Sequence, residues 1–437
     1  MEFYDVIVIS AGTLGLQAAE QLKMHQANYL IIEQDEGATL RDASWDVAIK
    51  TLIETAHVFH TRNKYDALGI EGAQHVIANI PEILAHIRNV QDDLISGLFQ
   101  RLEEHPVIHA QASFLDANTL KADSRSLKAD KILICTGSKP IIPGIFRPLK
   151  ADILTIDKLF EQEDLPQSLA VVGMGCRGAE LGQALARLGI EVFAVEPTAT
   201  IAAVSDPEIN QTAQYIMRQD MRLYMETQLQ TVEKEDGVYR LIGENKTLEV
   251  SGILLCAGRS PNLQGMGLNK LNIPYSGGTP VCDRQTLQIK GRPIYVTSVD
   301  DNGRSLPQSI ANKIACEHAL GIRGQAEPES SLRITFTDPP VASLGQKKTG
   351  AIEGRALLDN RNDNGLEEQG MVKLYASSEG RLTGAEMMAP AADHLAHLLQ
   401  LAIQQQLSAN QLLDLPFYPA SLEAGLRDAF TEIAGKH

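Results

Sequence analysis

The 437-residue sequence predicts an α/β protein with two related α/β units and a C-terminal α+β unit. Three observations support this class. A strand, a glycine-rich turn, a helix and a second strand follow one another near the N-terminus, and the same order returns from Leu169. From about Ser331 the pattern changes to short strands and an amphipathic helix, which is typical of a sheet packed against helices.

The first unit reads "YDVIVISAGTLGLQAAEQL" from Tyr4 and continues into the strand "YLIIE". Its turn has Ser10, Gly12 and Gly15 at the three glycine positions of a G-x-G-x-x-G turn. Such a turn brings the backbone close to a pyrophosphate, which then sits on the N–H groups at the helix N-terminus. Ser10 restricts the backbone at the tight turn. Glu33 ends the second strand, where a carboxylate can bond a ribose diol.

The second unit, "LAVVGMGCRGAELGQALARLGIEVFAVE", has the complete turn. Gly173, Gly175 and Gly178 occupy its three positions, and Glu196 closes the following strand at the same spacing as in the first unit. A single glycine-rich turn is a weak signal. Two such turns, each between a strand and a helix and with matched spacing, predict two Rossmann-like dinucleotide-binding domains.

Two later strands, each followed by a turn of small residues, also correspond between the units. "KILICTGSKP" ends in the turn residues Thr136 and Gly137, and "GILLCAGRSPN" ends in Gly258 and Arg259. The strand in "PIYVTSVDDNG" delivers Asp300 at a turn, which is the return of the chain to the first domain. The predicted segments are 1–143 for the first part of the first domain, 144–264 for the second domain, 265–330 for the return to the first and central domain, and 331–437 for the C-terminal domain.

Composition excludes several classes of function. Lys and Arg number 39 against 55 Asp and Glu, and the resulting net charge of −16 would repel a nucleic-acid backbone. No run approaches the roughly 18 apolar residues of a membrane span. The N-terminus enters a strand without a targeting pattern, so we expect a cytoplasmic protein. The five cysteines form no C-x-x-C or C-x4-C pair, which argues against a disulfide scaffold and a zinc site; we expect no metal.

Both glycine-rich units, together with "CTGSKP", "AGRSPN", "TDPPVASLG" and "LPFY", resemble the FAD-dependent pyridine nucleotide–disulfide oxidoreductases, most closely the dihydrolipoamide dehydrogenases. The resemblance covers essentially the whole chain. It implies FAD in the first domain, NAD(P) in the second, and a homodimer formed through the C-terminal domain. Glu33 and Asp300 would then hold FAD, and Glu196 would hold the NAD ribose. A carboxylate at Glu196 would repel a 2′-phosphate, which favours NAD over NADP.

The chain departs from this family where the redox disulfide belongs. The family reads Gly-x-Thr-Cys, four residues, then Cys-x-Pro-Ser-Lys, whereas this chain reads "GATLRDASWDVAIK". Alignment on Lys50 places Asp46 at the second cysteine and Leu40 or Arg41 at the first. Both sulfurs are therefore missing from the predicted site.

The acid–base pair that serves the disulfide is also replaced. The family has a histidine after "FY" and a glutamate five residues later, and this chain has Pro419 and Ala424 there. Neither side chain can carry a proton, so the sequence predicts that dithiol chemistry is absent.

The residues that the resemblance places beside the flavin, where the hydride from NADH arrives, are retained in the sequence. Lys50 and Glu180 match the family's ion pair beside the flavin N5. The sequence therefore predicts an oxidoreductase that moves electrons from NADH through FAD to a small-molecule acceptor, such as a quinone, a dye-like compound or oxygen. The alternative is an inactive relative that binds nucleotide and acts as a sensor or binds a partner protein. Ser10 and Val299, both at family glycine positions, leave FAD retention open.

Overall fold

The computed structural model describes residues 2–34, 44–276, 279–283, 285–297, 308–322, 331–358, 370–419 and 421–436. Asp300 and Val299, as well as Leu40 and Arg41, lie outside the described residues. The chain forms two compact units. Unit 1 comprises Met1–Ala48, Arg88–Ile141 and Arg259–Glu329, and unit 2 comprises Ile49–Ile87, Ile142–Gly258 and Ser330–His437.

Helices and strands alternate in residues 2–33 and 154–224, whereas strands follow one another directly in 107–140, 222–296 and 332–388. The helices are α1 (Thr13–Met24), α2 (Trp45–Thr61), α3 (Ile80–Leu102), α4 (Ile156–Leu159), α5 (Cys176–Arg187), α6 (Pro207–Asp220), α7 (Gln308–Ala319), α8 (Ala392–Gln404), α9 (Ala409–Leu413) and α10 (Arg427–Lys436). The strands are β1 (Glu2–Ile9), β2 (Tyr29–Glu33), β3 (Val107–His109), β4 (Ala112–Phe114), β5 (Thr119–Ala122), β6 (Arg125–Ile134), β7 (Ser138–Pro140), β8 (Leu154–Thr155), β9 (Ser168–Val172), β10 (Glu191–Val195), β11 (Arg222–Tyr224), β12 (Leu229–Glu235), β13 (Val238–Gly243), β14 (Thr247–Val250), β15 (Gly252–Leu255), β16 (Arg259–Pro261), β17 (Tyr275–Ser276), β18 (Thr279–Pro280), β19 (Ile294–Val296), β20 (Leu332–Thr335), β21 (Val341–Gly345), β22 (Ile352–Leu357), β23 (Met371–Ala376) and β24 (Leu382–Met388).

Unit 1 is built on a parallel sheet in the order β3-β2-β1-β6, with β19 also pairing with β6. Ile9 of β1 lies opposite both Ile32 and Ile134, and Val296 lies opposite Ile134. The carboxyl ends of these strands therefore meet at one edge. In open parallel sheets, ligands bind outside this edge.

The strands of unit 1 are apolar because both faces of the sheet are covered. One face packs against α1 and α7 in a core that contains Leu16, Leu22 and Ala315. β5 and β4 continue this sheet beyond β6, and their residues Leu120 and Phe114 share a second core with Ile7 and Ile132. The predicted βαβ arrangement of the first domain matches this part of the structure.

Unit 2 contains a second parallel sheet, in the order β11-β10-β9-β15-β8, and an antiparallel meander of β12, β13 and β14. Val172 at the end of β9 lies opposite Val195 and Leu255, so the strand ends are level as they are in unit 1. The C-terminal part of unit 2 is an antiparallel sheet, β20-β21-β24-β23-β22, which packs against α8 and α10 around Phe430.

A buried cationic side chain ties α6 to the C-terminal sheet within unit 2. The Lys373 ammonium lies 3.0 Å from Asp206, 3.3 Å from Glu208 and 3.3 Å from Glu353. Burial by itself would lower the pKa of Lys373, but these carboxylates outweigh it and raise the pKa. The network groups the predicted 144–264 and 331–437 segments in one compact unit.

The unit boundaries at 141/142 and 258/259 lie two and six residues before the predicted boundaries at 143/144 and 264/265. Segment 49–87, which was predicted to belong to the first domain, lies in unit 2 instead. Helix α2 runs without interruption through residue 48, where the unit changes. Among the helices of the described chain, none is long and apolar enough to cross a membrane.

Candidate functional site

The first glycine-rich turn connects β1 to α1. Ser10 follows the strand with a φ of +89°, a left-handed conformation that favours glycine. The next residue, Ala11, donates its backbone N–H to the buried Glu33 carboxylate. A Cβ on Gly15 would lie 1.8 Å from the Ser10 carbonyl oxygen, so only glycine lets α1 pack this close to the turn. Gly12 is the N-cap of α1.

The N-terminus of α1 fits an anionic group. The hydroxyl of Thr13, the first residue of the helix, is buried and has no hydrogen-bond partner among the described residues. A buried hydroxyl without a partner is unfavourable, and a phosphate oxygen at this N-terminus would supply one. The first turn contains no acidic residue that would oppose it. These features fit the pyrophosphate of FAD.

The second turn repeats the first in unit 2. Gly173 has a φ of +98°, and the Met174 N–H donates to the Glu196 carboxylate at 2.7 Å. A Cβ on Gly178 would lie 1.8 Å from the Gly173 carbonyl oxygen. Gly175 is the N-cap of α5, and a Cβ there would meet no atom within 4 Å, so its backbone is open to a ligand. This turn fits the pyrophosphate of NAD.

The other carboxylate oxygen of Glu196 accepts two hydrogen bonds from Thr198, two residues later. The Thr198 N–H donates to it at 3.0 Å, and the Thr198 hydroxyl at 2.7 Å. Glu196 is therefore a fixed carboxylate at the end of β10. The residues that follow, 197–204, include no arginine that could accept a 2′-phosphate.

The two later turns are joined by pairing of β7 with β16 in unit 1. The Thr136 hydroxyl donates to the Asn262 carbonyl at 2.7 Å, and Arg259 donates to the Ser138 hydroxyl at 2.9 Å. Gly137 and Gly258 have φ values of +63° and +97°. The structure thus gives Thr136 and Arg259 partners within the protein. Asp300, the other predicted FAD ligand here, is outside the described residues.

The predicted ion pair between Lys50 and Glu180 is not formed. Within the described part of unit 2, the cation that pairs with Glu180 is Arg177, whose Nη1 lies 2.9 Å from Oε2. The other oxygen, Oε1, accepts the Phe336 N–H at 2.9 Å. The Lys50 ammonium lies 5.2 Å from the centroid of the Phe336 ring. Lys50 and Glu180 therefore each contact Phe336 and do not contact each other. Arg177 pairs with Glu180 instead, because it lies three residues away on the same helix.

Helix α5 also carries a polar contact with the turn after β20. The Gln183 side chain accepts the Asp338 N–H at 2.8 Å, and Arg187 donates to the Asp338 carboxylate. His57 lies 3.0 Å from the same carboxylate. Burial would raise the pKa of Asp338, but Arg187 and His57 outweigh it and lower the pKa. These contacts fix the position of Phe336, two residues earlier.

Three of the cysteines, Cys135, Cys256 and Cys316, are not suited to redox chemistry. Burial raises the pKa of the Cys135 thiol and of the Cys256 thiol to about 12. Burial also raises the pKa of Cys316. These three thiols remain protonated at neutral pH, and the thiolate is the reactive form.

Three residues of the candidate site were not singled out from the sequence. Thr13 could have been found, because a hydroxyl in the first helical turn of a glycine-rich motif is a phosphate ligand by chemistry. Arg177 could have been found from its i, i+3 spacing to Glu180. Phe336 could not, because its contact with Glu180 spans 156 residues of chain.

The chain is similar to known proteins along most of its length. The family model for "Pyridine nucleotide-disulphide oxidoreductase" matches residues 4–297. A mercuric reductase from Staphylococcus aureus is 25% identical over 446 residues, covering 94% of this chain and 79% of the relative. A mitochondrial dihydrolipoyl dehydrogenase from Pisum sativum is 25% identical over 463 residues, covering 97% of this chain and 90% of the relative.

Solved structures share the fold. LpdA from Mycobacterium tuberculosis superposes with a TM-score of 0.83 at 22% identity, over 99% of this chain and 100% of that chain. The Cu(II) complex of the HOCl-induced flavoprotein disulfide reductase RclA from Escherichia coli gives a TM-score of 0.82 at 19% identity, over 99% of each chain. The predicted α/β class with Rossmann-like domains is confirmed.

Proposed function

The chain belongs to the pyridine nucleotide-disulphide oxidoreductase family, and on that premise we propose that it oxidises NADH through FAD and passes the electrons to a small-molecule acceptor other than a disulfide. Members of the family are oxidoreductases that use FAD and NAD(P)H. The observation that carries the proposal is the repeated turn. In both copies, the residue after the positive-φ position donates its N–H to the carboxylate that ends the next strand.

The choice of acceptor is supported by what the sequence has at the family's dithiol positions. The chain has no cysteine before Cys135. Asp46 lies in the first turn of α2 and is exposed to solvent. Pro419 and Ala424 offer no group that could move a proton for a dithiol. A quinone, a dye-like compound or oxygen needs neither group.

Bound FAD would supply hydride acceptance and onward electron transfer. Glu33, Gly12 and Gly15 are the residues proposed to hold it, with Thr13 at the pyrophosphate. Gly173, Gly175, Gly178 and Glu196 are those proposed for NAD. Lys50 and Glu180 are proposed to act on the nicotinamide side. Each of them contacts Phe336, Lys50 at the ring and Glu180 at the backbone N–H.

Anaerobic stopped-flow mixing of the purified flavoprotein with NADH tests this function. We expect the flavin absorption band to bleach with NADH and much less with NADPH, since Glu196 would repel a 2′-phosphate. Steady-state assays should show turnover with a benzoquinone and none with lipoamide. Failure of NADH to bleach the flavin near neutral pH would contradict the proposal.

One observation favours a second candidate, a nucleotide-binding protein without turnover. Arg177 pairs with Glu180, and Lys50 lies at the Phe336 ring, so the charged pair expected beside the flavin is not formed. The absorption spectrum of the purified protein distinguishes the two functions. A colourless protein whose melting temperature rises with NADH would support the second candidate, whereas a yellow protein that turns over NADH would exclude it.

We also propose a two-fold homodimer formed through residues 331–437. Members of this family are typically homodimers. Leu401 in α8 is 55% exposed, and Tyr418 is 82% exposed, so this part of unit 2 presents apolar side chains to solvent. Light scattering at micromolar concentration should give twice the chain mass of 47.6 kDa, and a monomer would contradict the proposal.

A further inference from the structure

The Glu180 carboxylate in unit 2 is buried, and both of its oxygens accept hydrogen bonds. Its side chain is 2% exposed, and its two oxygens accept hydrogen bonds from the Arg177 guanidinium and from the Phe336 N–H, both at 2.9 Å. A buried carboxylate that loses its cationic partner is strongly destabilised. Any movement of Arg177 away from Glu180 therefore requires another cation to take its place.

Lys50 is the second cation at this point of the molecule. Its ammonium lies 5.2 Å from the centroid of the Phe336 ring, and the N–H of the same residue holds Glu180. Lys50 is exposed, and among the residues that the structure describes its ammonium contacts this ring. A cation–π contact whose cation is exposed to solvent contributes only about 0.5–1 kcal/mol. Lys50 can thus leave the ring at small cost, while a buried carboxylate offers a stronger contact.

Arg177 lies beside a second site for an anion, which would compete with Glu180 for the guanidinium group. It lies in the first turn of α5, two residues after the N-cap Gly175, where the pyrophosphate of a dinucleotide would sit. Its side chain is 39% exposed, so the guanidinium can turn toward solvent. Guanidinium groups bind phosphate oxygens in a bidentate geometry that a single carboxylate oxygen cannot match.

We propose that Arg177 is a positioning residue that releases Glu180 to Lys50 when the pyrophosphate of a dinucleotide binds at the second turn. The inference rests on the proposed function, because it takes this turn as the NAD site. Without dinucleotide, Arg177 neutralises Glu180. With dinucleotide, Arg177 moves to the phosphate and Lys50 pairs with Glu180. Binding and pairing strengthen each other equally, as linkage requires.

The chemical reactivity of Lys50 reports this exchange without any assay of activity. The protein is treated with a limiting amount of acetic anhydride, with and without saturating ADP-ribose, and acetylation of Lys50 is measured by peptide mass spectrometry. We expect ADP-ribose to slow acetylation of Lys50 roughly tenfold, the factor for a charge-assisted hydrogen bond that must open before the amine reacts. Lys246, which is exposed like Lys50 and whose ammonium lies 4.6 Å from the Tyr224 ring, is the matched reference lysine and should not change.

Three variants separate the exchange from simple shielding by the ligand. In Arg177→Met, Lys50 should be protected even without ADP-ribose, because it is then the cation left for Glu180. In Arg177→Lys, which keeps a cation at this position, Lys50 should remain reactive until ADP-ribose is added. In Glu180→Gln, Lys50 should stay reactive under both conditions.

Calorimetric titration with ADP-ribose keeps the two proposals distinguishable. If ADP-ribose binds but Lys50 reactivity is unchanged in the wild type and in Arg177→Met, the exchange is wrong and the NADH-dependent function stands. If Glu180→Gln shows the same protection as the wild type, the ligand shields Lys50 directly and the exchange is again wrong. If ADP-ribose does not bind, the proposed function fails, and reactive Lys50 in unliganded Arg177→Met would overturn the competition for Glu180 as well.

Discussion

The two glycine-rich turns have the same backbone geometry although one of them has serine at the tight position. The φ value is +89° at Ser10 in unit 1 and +98° at Gly173 in unit 2. An L-residue in this region costs about 1–2 kcal/mol relative to glycine. The surrounding contacts of the first turn therefore impose a conformation that its own residue disfavours.

The comparison also shows why serine is tolerated in only one turn. A Cβ on Gly173 would lie 2.5 Å from the carbonyl oxygen of Cys256, so the second turn has no room for a side chain. In the first turn, Ser10 is 3% exposed and its hydroxyl accepts the Gly12 N–H at 3.3 Å. The residue that a turn accepts depends on the neighbouring strand as well as on φ.

The largest expected effect tests whether the two turns share one packing requirement. Gly15→Ala and Gly178→Ala each place a Cβ 1.8 Å from a backbone oxygen that cannot move without the turn. We expect each to lower the free energy of unfolding by about 3 kcal/mol or more. Urea unfolding followed by circular dichroism measures the change. Gly97→Ala is the control, because its Cβ in α3 meets no atom within 4 Å; equal effects at all three positions would contradict the argument.

Gly173→Ser transfers the serine of the first turn into the second. We expect a loss of about 2–3 kcal/mol in the free energy of unfolding, from backbone strain combined with the contact at Cys256. Gly189→Ser separates the two causes, because Gly189 has a φ of +102° and open space around it. That control should lose only about 1–2 kcal/mol, the cost of strain alone. If both variants lose the same amount, the Cys256 carbonyl does not limit the second turn.

The carboxylates that end β2 and β10 provide a smaller and more specific test. We expect Glu196→Gln to weaken ADP-ribose binding about fivefold, since a charge-assisted hydrogen bond becomes a neutral one. The amide cannot repel a 2′-phosphate, so 2′-phospho-ADP-ribose should bind this variant better than it binds the wild type. Isothermal titration calorimetry measures both constants. Glu33→Gln is the matched control and should leave ADP-ribose affinity unchanged; weakened binding in this variant would mean that the turns are not separate sites.

Features that depend on local spacing could be predicted from the sequence. The turn residues and the strand-end carboxylates are fixed by a strand–turn–helix–strand order that any Rossmann-like unit must follow, so Ser10 and Glu33 fell where expected. The partner of Glu180 was predicted wrongly. Family spacing pointed to Lys50, but the structure gives Arg177, because a cation three residues away on the same helix needs no tertiary contact to reach it.

Contacts between distant segments were beyond the reach of the sequence. Phe336 meets Glu180 only because the turn after β20 is held to α5 by Gln183 and Arg187. The grouping of 49–87 with unit 2 likewise depends on packing that no local pattern encodes. Neither contact follows from periodicity, because both join side chains through the tertiary arrangement of whole elements.

The smallest expected effect is the repair of the first turn by Ser10→Gly. Glycine removes about 1–2 kcal/mol of strain at the φ of +89°, but it adds about 0.5–1 kcal/mol of backbone entropy to the unfolded chain. The variant also loses the long hydrogen bond from the Gly12 N–H to the serine hydroxyl. We therefore expect a net stabilisation of about 0.5 kcal/mol, seen as a higher urea midpoint with an unchanged slope. Ser10→Ala, which keeps the strain and removes the hydroxyl, should be slightly less stable than the wild type. Should Ser10→Gly instead prove less stable than the wild type, the hydroxyl of Ser10 would contribute more than the strain costs, and the first turn would be adapted to serine.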